Sequence, residues 1–497
     1  MHLEKMKAIM NTNAHRITLQ HIARRAMIER GLLPDFSNAA LNELKEITAQ
    51  ANYKSYAASD LRHLLWCSVD NEDSLDLDQL SYADQLPDNK VRVMIAIADV
   101  DALVSAQSNI DHHASQNTAS VYTIAQMFPM LPEELSTDLT SLRYDADRCA
   151  VVVDMVFNDD GALNNADVYC ATVRNRAKLD YESLGKWLEG TGPIPPKILK
   201  VDGLAENIKL QDRIAQKMKE LRYEHGALEF ETIETRPVFE DDVLCEMKVE
   251  RKNRAKSLIE DFMIASNGAT ARYLAEKKFP SLRRVVRTPK RWDRIIQLAS
   301  EHGFTLPLEA DSRSLAQYMK FAKEKEPDHY SDISLSVLKL LGAGEYVLET
   351  PGCISQGHFG LAVKDYAHST APNRRYPDLI THRLLKSAMS GHAAPYSTEQ
   401  LEIIARHCTL MEDAAKKVER QVEKSANAML LEPRIGEEFE VMVTGASPKG
   451  TWVKVFHPHL EGKLVRGFNG LEVGHKLKAR LIHVEVDSGF IDFERVD

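Results

Sequence analysis

The sequence predicts an α+β protein in which a large unit of mixed sheet and helices follows a short helical segment and precedes a small β-barrel. Three observations predict this class. Helical periodicity fills the first residues and much of the second half, short β-like apolar runs lie between them, and about five short alternating stretches end the chain. These changes of pattern place the boundaries at 1–58, 59–431 and 432–497.

The first 55 or so residues have the periodicity of helices. We assign one apolar stripe to Ile17, Leu19, Ile22, Ala23 and Met27, and the pattern stops at a Gly-Leu-Leu-Pro turn. The stripe predicts that this helical segment packs on the rest of the protein.

From about residue 60 the pattern changes to β-like runs separated by Asp, Asn and Gly. The clearest runs are VRVMIAIADV at 91–100 and AVVVDMVF at 150–157, which predict strands of a mixed sheet. Between about 203 and 425 helical stretches dominate, with β-like pieces around 282–288 and 352–364. The large middle unit is therefore predicted to be α+β.

The last part of the chain has the size and rhythm of a small OB-type barrel, with short alternating strands joined by turns that contain Gly, Pro and Asp. One strand, GTWVKV, carries Trp452. An aromatic side chain at this place is either a platform on which a nucleic-acid base stacks or a filler of the barrel.

Composition and charge limit the class of protein. The 497 residues have 44% hydrophobic and 27% charged residues and a net charge of -10, which excludes a disordered chain and argues against coating nucleic acid by bulk charge. Six cysteines without a CxxC pair, and no signal-peptide or membrane-spanning apolar run, predict a cytoplasmic protein. The segment 248–291 is nevertheless strongly basic, with 13 Lys and Arg against 4 acidic residues.

A cluster of carboxylates stands out in SVDNEDSLDLDQL, residues 68–80. Asp70, Asp73, Asp76 and Asp78 repel one another unless a divalent cation neutralises them. Oxygen ligands without neighbouring His or Cys pairs favour Mg²⁺ or Mn²⁺ over zinc. The segment is either such a cation site or a solvated acidic loop.

A second segment, AHSTAPNRRYPDLITHRLL at 367–385, places two arginines before a predicted helix. Arg374 and Arg375 offer forked, permanently charged donors that suit phosphate oxygens. We expect His368 and His382 to pack or to contact phosphate, because neither has a second ligand at helical spacing. An acidic cation site together with an arginine turn indicates phosphoryl transfer.

These motifs resemble the RNB family, the exoribonucleases of the RNase II and RNase R type. The resemblance covers about 60–430, and 434–497 is similar to the S1-type OB-fold that follows in that family. Further motifs agree in order and spacing: AIADV, MLPEELSTDLTSLR, AKLDY, GALEFE and LIEDFMIASN. The resemblance implies processive 3′-to-5′ hydrolysis of single-stranded RNA to nucleoside 5′-monophosphates, with Mg²⁺ in the site; Mn²⁺ is the alternative ion.

The family also implies roles for particular residues. Metal binding falls to Asp70, Asp76, Asp78 and Gln79, and stabilisation of the pentavalent phosphorus to Arg374, with Arg375 beside it as an RNA contact. The remaining RNA contacts are Tyr122 and, more weakly, Phe230 for base stacking, Tyr181 and Glu260 for choosing RNA over DNA, Glu419 near the 3′ end, and Trp452 in the barrel.

Two departures from the family pattern matter. The aspartate motif normally ends in a pair of aspartates, whereas this chain has Asp78 followed by Gln79, which removes one charge and predicts weaker binding of Mg²⁺. An alternative is therefore an RNA-binding protein with a vestigial nuclease domain. In addition, about 60 mostly helical residues are too few to encode the two cold-shock domains of full-length relatives, so we expect RNA to reach the site differently. No membrane and no obligate protein partner is indicated.

Overall fold

A computed structural model describes residues 14–50, 59–231, 234–240, 242–250, 252–353, 356–447, 450–455, 460–472 and 474–496. No helix in these ranges is long and apolar enough to cross a membrane. The described chain begins with two helices, α1 (Ala14–Glu29) and α2 (Asn38–Gln50).

The predicted apolar stripe of α1 is confirmed at four positions and wrong at one. Leu19, Ile22, Ala23 and Met27 are buried, whereas Ile17 is 49% exposed. Residues two apart on a helix point to nearly opposite sides, so Ile17 cannot share the face of Leu19.

The predicted mixed sheet is confirmed and has seven strands in the order β1-β8-β7-β4-β3-β2-β9. Two of its strand pairs, β1 with β8 and β2 with β9, are parallel, and the others are antiparallel. Strands β5 and β6 form a separate two-stranded hairpin. The strands are β1 (Ser59–Asp60), β2 (Cys67–Asp70), β3 (Gln79–Gln85), β4 (Val91–Ala98), β5 (Val121–Tyr122), β6 (Met127–Phe128), β7 (Asp147–Phe157), β8 (Leu163–Arg174) and β9 (Ala177–Asp180).

Helices cover the sheet because its central strands carry apolar residues on both faces. Val93 and Ile95 of β4 belong to a large core that includes residues of the helices, whereas Met94 and Ala96 face a second, smaller core. The helices that follow in the first half are α3 (Asn109–Asn117), α4 (Tyr181–Leu188), α5 (Pro196–Leu199) and α6 (Leu204–Glu224).

The second half is mainly helical, as predicted, but the positions of its strands were only partly predicted. The β-like piece at 282–288 overlaps a strand, whereas the piece at 352–364 forms isolated bridges and a short 3₁₀ turn where it is described. The elements are β10 (Glu234–Glu240), β11 (Val243–Glu250), α7 (Arg254–Glu276), β12 (Ser281–Val285), α8 (Trp292–Glu301), α9 (Ser312–Lys325), α10 (Tyr330–Leu341), β13 (Glu345–Glu349), α11 (Tyr376–Met389) and α12 (Thr398–Leu431).

The C-terminal part is a closed five-stranded barrel, which confirms the predicted OB-type barrel. Its inward side chains, such as Val441, Val453 and Phe493, are buried in a core of their own. The strands are β14 (Glu438–Ser447), β15 (Gly450–Val455), β16 (Leu460–Arg466), β17 (Lys476–Glu485) and β18 (Phe490–Arg495).

Helix α1 packs where several parts of the molecule meet. Its buried stripe joins α12, the β5–β6 hairpin and β11 in one apolar cluster. The turn after α1 is tied to the end of α3, because the buried Asn117 side chain accepts from the Leu33 amide at 2.8 Å and donates to the Leu33 carbonyl at 2.9 Å. The N-terminal helices thus support the segment that leads into Tyr122.

Candidate active site

The aspartate loop, residues 71–77, joins the end of β2 to the start of β3. Asp70 is the last residue of β2, and its carboxylate accepts from the Asn71 amide at 2.7 Å and from the Ser74 hydroxyl at 3.0 Å. Burial, together with the neighbouring Asp76 carboxylate, raises the pKa of Asp70. Asp73 is exposed on this loop, whereas Asp78 is buried.

Asp78 lies at the contact between the aspartate loop and the arginine turn, residues 367–375. Its side chain is 3% exposed, accepts from Arg374 Nε at 3.0 Å and accepts from the Asn373 amide at 3.2 Å. Burial raises the pKa of Asp78 to about 7, although Arg374 opposes this shift. Two segments that are almost 300 residues apart in the sequence therefore meet at one carboxylate.

The arginine turn is held by buried polar side chains. Asn267 of α7 accepts from the amide and hydroxyl of Ser369, and His382 of α11 contacts the Ser369 carbonyl at 2.7 Å. Asp378, in the first turn of α11, accepts from the Ala371 amide at 2.9 Å. This network fixes the backbone that carries Arg374.

Tyr122 and Glu419 join this site from other elements. The Tyr122 amide donates to Glu419 Oε1 at 3.0 Å, and the Tyr122 hydroxyl is 3.4 Å from Asp76 Oδ2. Burial raises the pKa of both Tyr122 and Glu419. The Ser120 amide also donates to the Arg374 carbonyl at 3.0 Å, so the strand that presents Tyr122 is bonded directly to the arginine turn.

The donor set suits a hard divalent cation. Asp70 and Asp78 are carboxylates whose pKa values are raised by burial, so they favour a positive charge beside them, and Asp76 lies near both. Within the ranges that the structure describes, however, no three His, Cys, Asp or Glu side chains are grouped so that they hold one ion. The carboxylates instead contact Arg374, Tyr122 and Ser74.

Gln79 begins β3 beside the site. It pairs with Ile97 of β4 in the ladder and is half-buried. No hydrogen bond joins its side chain to the three aspartates in the described part of the chain. Its role as a metal ligand stays a prediction.

Tyr181, Phe230 and Glu260 belong to a second region, around a cavity of about 1540 Å³. Phe230 and Glu260 line the cavity, and Lys256, which also lines it, lies over the Tyr181 ring at 6.0 Å. Burial raises the pKa of Tyr181, and the nearby Asp70 carboxylate adds to this shift. Tyr181 therefore lies between the cavity and the aspartates, whereas Phe230 packs on the cluster formed by α8, α9 and α10.

The basic character of 248–291 is smaller in the fold than in the sequence. Many of its cations form ion pairs with acidic residues that lie elsewhere in the chain or within the segment itself. Such pairing leaves less charge for a polyanion than the sequence suggested. The pairs are Lys252–Glu260, Arg254–Asp212, Arg283–Glu349, Arg284–Glu412 and Arg287–Glu345.

The prediction that Arg375 contacts RNA is not supported by its position. Its guanidinium donates to Asp378 at 2.7 Å and to the Thr370 hydroxyl at 3.3 Å, so it is part of the network inside the arginine turn. The packing role expected for His382 is confirmed, because its side chain is buried, whereas His368 is partly exposed and its Nδ1 contacts the Tyr346 hydroxyl at 2.8 Å.

Trp452 lies on the outer face of the barrel. The side chains of β15 alternate, with Thr451, Val453 and Val455 inside and Trp452 and Lys454 partly exposed. Trp452 therefore does not fill the barrel. Lys454, on the same face, donates to Asp332 of α10 at 2.8 Å, which places this face next to the helices around the cavity.

Sequence reasoning missed several residues that shape the site. Asn373 is buried, its amide bonds Asp78, and its side chain accepts from Thr140 at 2.5 Å. Ser141 and Lys178 hold the aspartate loop. Asn373, Ser141 and Lys178 all lie inside motifs that the sequence analysis quoted. Membership of these motifs is the feature by which they could have been found.

Comparison with known proteins defines the class to which this fold and site belong. Residues 58–391 match the RNB domain, and residues 437–496 match the RNase II-type exonuclease C-terminal S1 domain. The chain belongs to the RNB family.

Curated relatives with this architecture are named Ribonuclease R. Those of Vibrio cholerae and Escherichia coli are 30% identical over 480 residues and 28% identical over 424 residues, covering 88% and 81% of this chain. The chain spans 57% and 50% of the lengths of these two relatives.

Solved structures share the fold. Mycoplasma genitalium RNase R in complex with double-stranded RNA has a TM-score of 0.83 at 23% identity and covers 95% of this chain and 82% of its own. Yeast Ssd1, described as a pseudonuclease, has a TM-score of 0.66 at 15% identity and covers 86% of this chain and 53% of its own.

Proposed function

We propose that this protein is a Mg²⁺-dependent 3′-to-5′ exoribonuclease that processively hydrolyses single-stranded RNA to nucleoside 5′-monophosphates. The observation that carries the proposal is the buried contact between Asp78 and Arg374, with Tyr122 and Glu419 beside it. Carboxylates for a cation, an arginine for phosphate and an aromatic platform are the groups that this reaction needs.

Each residue has a role that follows from its position. Asp70, Asp76 and Asp78 would hold the cation, which when bound supplies Lewis-acid activation of water and neutralises phosphate charge. Arg374, whose Nε donates to Asp78, would donate to the phosphate oxygens as negative charge develops on them. Tyr122 stacks on the base at the 3′ end, and Glu419 holds the Tyr122 backbone.

The path of the RNA strand follows the partly exposed groups. We expect the strand to pass Trp452 on the barrel first, then the cavity lined by Phe230 and Glu260, and then Tyr181 before it reaches the aspartates. In this proposal the barrel, residues 432–497, contacts the RNA first, and the middle unit, residues 59–431, cleaves it. A shortened strand is still held by these upstream contacts, which accounts for processivity.

The proposal is tested with single-stranded RNA labelled at its 5′ end. In Mg²⁺ the wild type should shorten this RNA from its 3′ end and release nucleoside 5′-monophosphates. Asp78→Asn should lower the rate about 10³-fold, because it removes a buried carboxylate from the reacting centre. Asp159→Asn, in an exposed turn after β7, is the matched control and should cleave as the wild type does. Equal rates for Asp78→Asn and wild type would refute the proposal.

A second candidate is an RNA-binding protein with a vestigial nuclease domain, and the neutral Gln79 beside Asp78 favours it. Gln79→Asp separates the two. An enzyme weakened by the missing charge should need several-fold less Mg²⁺ for half its maximal rate after this substitution. A vestigial domain should bind RNA as before and gain no turnover.

A further inference from the structure

The aspartate loop is bonded from one side by a lysine of the neighbouring strand. Lys178 lies on β9, which runs parallel to β2, and it pairs with Ser68 in the ladder. Its ammonium group donates to the Glu72 carbonyl at 2.8 Å and to the Ser74 carbonyl at 2.6 Å. Two backbone carbonyls of the loop therefore converge on one positive charge.

A buried serine bonds the loop from the other side. Ser141 is fully buried, its hydroxyl donates to the Leu75 carbonyl at 2.7 Å, and it accepts from the Leu77 amide at 3.0 Å. The Leu142 amide also donates to the Leu77 carbonyl at 2.9 Å. These bonds flank Asp76 on both sides in the sequence.

The contacts have a consequence for the carboxylates. Glu72, Asp73 and Leu75 are exposed, so apolar burial fixes the loop only at its end, through Leu77. Without the bonds from Lys178 and Ser141, the aspartate loop would open, because Asp70, Asp76 and Asp78 repel one another. The Lys178 bonds to the Glu72 and Ser74 carbonyls oppose this opening, because hydrogen bonds from a charged donor are stronger than neutral ones.

We propose that Lys178 and Ser141 are positioning residues: they hold the backbone of the loop between Asp70 and Asp78, and the binding of a divalent cation by Asp70, Asp76 and Asp78 depends on that backbone. Lys178 acts through the carbonyls of Glu72 and Ser74, and Ser141 acts through the backbone around Asp76. This inference rests on the proposed function, and it assigns a role to the motifs AKLDY and MLPEELSTDLTSLR beyond the residues that contact RNA.

The test compares Lys178→Met, Lys178→Arg and Ser141→Ala with the wild type. The control is Lys186→Met on α4, because in the described part of the chain its ammonium group donates to the exposed Glu182 one helical turn away and to no residue of the aspartate loop. Three quantities are measured: the Mn²⁺ concentration that gives half of the metal-induced rise in melting temperature, the Mg²⁺ concentration for half-maximal cleavage, and the affinity for RNA in EDTA.

Lys178→Met should raise both metal concentrations about 10-fold, the size usual for residues that orient metal ligands. Its affinity for RNA in EDTA should stay within two-fold of the wild type. Lys178→Arg should restore part of the metal affinity, because it keeps a charged donor. Ser141→Ala should shift the metal concentrations in the same direction as Lys178→Met.

Wild-type metal concentrations in both Lys178→Met and Ser141→Ala would overturn the proposal, as would an equal loss in Lys186→Met. An equal loss of RNA affinity in EDTA would also overturn it, because the residues would then contact RNA. If wild-type protein failed to cleave RNA, the proposed function would fall, whereas the metal-induced change in melting temperature would still decide whether Lys178 and Ser141 position the aspartates.

Discussion

The aspartate loop and the arginine turn meet at the contact between Asp78 and Arg374, but they are held in different ways. Around the turn, Ser369, Asp378 and His382 are fully buried and bonded to one another or to the backbone. Around the loop, most of residues 71–75 are exposed, and Lys178 and Ser141 supply the bonds.

The difference reflects two tasks of a phosphate site, which are to present a fixed arginine and to hold carboxylates close together. Buried polar groups that are satisfied by fixed partners give one geometry and cost free energy if a partner is removed. Carboxylates that repel one another cannot be held equally firmly without a positive charge. The turn is therefore preorganised by the fold, whereas the loop is held by bonds from Lys178 and Ser141 to its backbone and, under the proposed function, by a cation between its carboxylates.

The largest expected effect distinguishes the two adjacent arginines of the turn. Arg374→Lys should lower the single-turnover cleavage rate about 10²-fold, because the forked donor at the phosphate is lost, with little change in melting temperature. Arg375→Lys should lower the melting temperature more and the rate less, since its partners Asp378 and Thr370 are internal. Equal losses of rate in the two variants would contradict the separate roles.

The next largest effect is on the free energy of unfolding, and it differs between a carboxylate of the turn and a carboxylate next to the loop. Asp378→Asn should lower the free energy of unfolding by about 3 kcal/mol, because it breaks a buried ion pair with Arg375. Asp70→Asn should leave the free energy of unfolding unchanged or slightly higher, since burial and the Asp76 charge disfavour its ionised form. Urea unfolding of both variants measures the change in the free energy of unfolding. A larger decrease in Asp70→Asn than in Asp378→Asn would contradict the prediction.

A smaller effect concerns local motion. Adding Mg²⁺ should slow hydrogen exchange at the amides of residues 71–77, because the cation removes the repulsion that opens the loop. The amides of Ser369 and Ala371 in the turn should exchange equally with and without Mg²⁺, since their partners Asn267 and Asp378 are already in place. Mass spectrometry of peptides from the two segments provides the measurement. If Mg²⁺ slowed exchange only in the turn, the turn rather than the aspartate loop would be the segment that the cation orders.

The smallest effect is the pH dependence of the turn. Burial lowers the pKa of His382, so its neutral form is favoured in the folded protein. The unfolded chain binds a proton near pH 6.5 and the folded chain only at lower pH, so the free energy of unfolding falls as the pH drops below 6.5. Unfolding measured at pH 7.5 and 5.5 should show a smaller fall in His382→Gln than in the wild type. An unchanged difference would exclude His382 as the cause.

The fold class could be predicted from local patterns, and so could the individual groups of the site. The runs at 91–100 and 150–157 are strands because continuous apolar residues need a sheet buried on both faces. The strands β10, β11 and β13 were not predicted, because their polar residues hide the alternation that identifies a strand.

The sequence does not show how much of the positive charge of 248–291 is paired, for a related reason. The sequence gives the number of Lys and Arg residues, whereas the fold determines which of them form ion pairs with Asp or Glu. Arg283 and Arg284 lie on a buried strand beside Glu349 and Glu412, which are far away in the sequence, so they are neutralised.

The sequence by itself determined the α+β class, the closing barrel, the RNB family and the residue types that phosphate chemistry needs, because each of these is written in local patterns and motifs. Only the tertiary structure decided that Asp78 meets Arg374, that Arg375 turns inward to Asp378, and that Lys178 and Ser141 hold the aspartate loop. Such contacts join residues distant in the chain, and their geometry depends on how whole strands and helices pack.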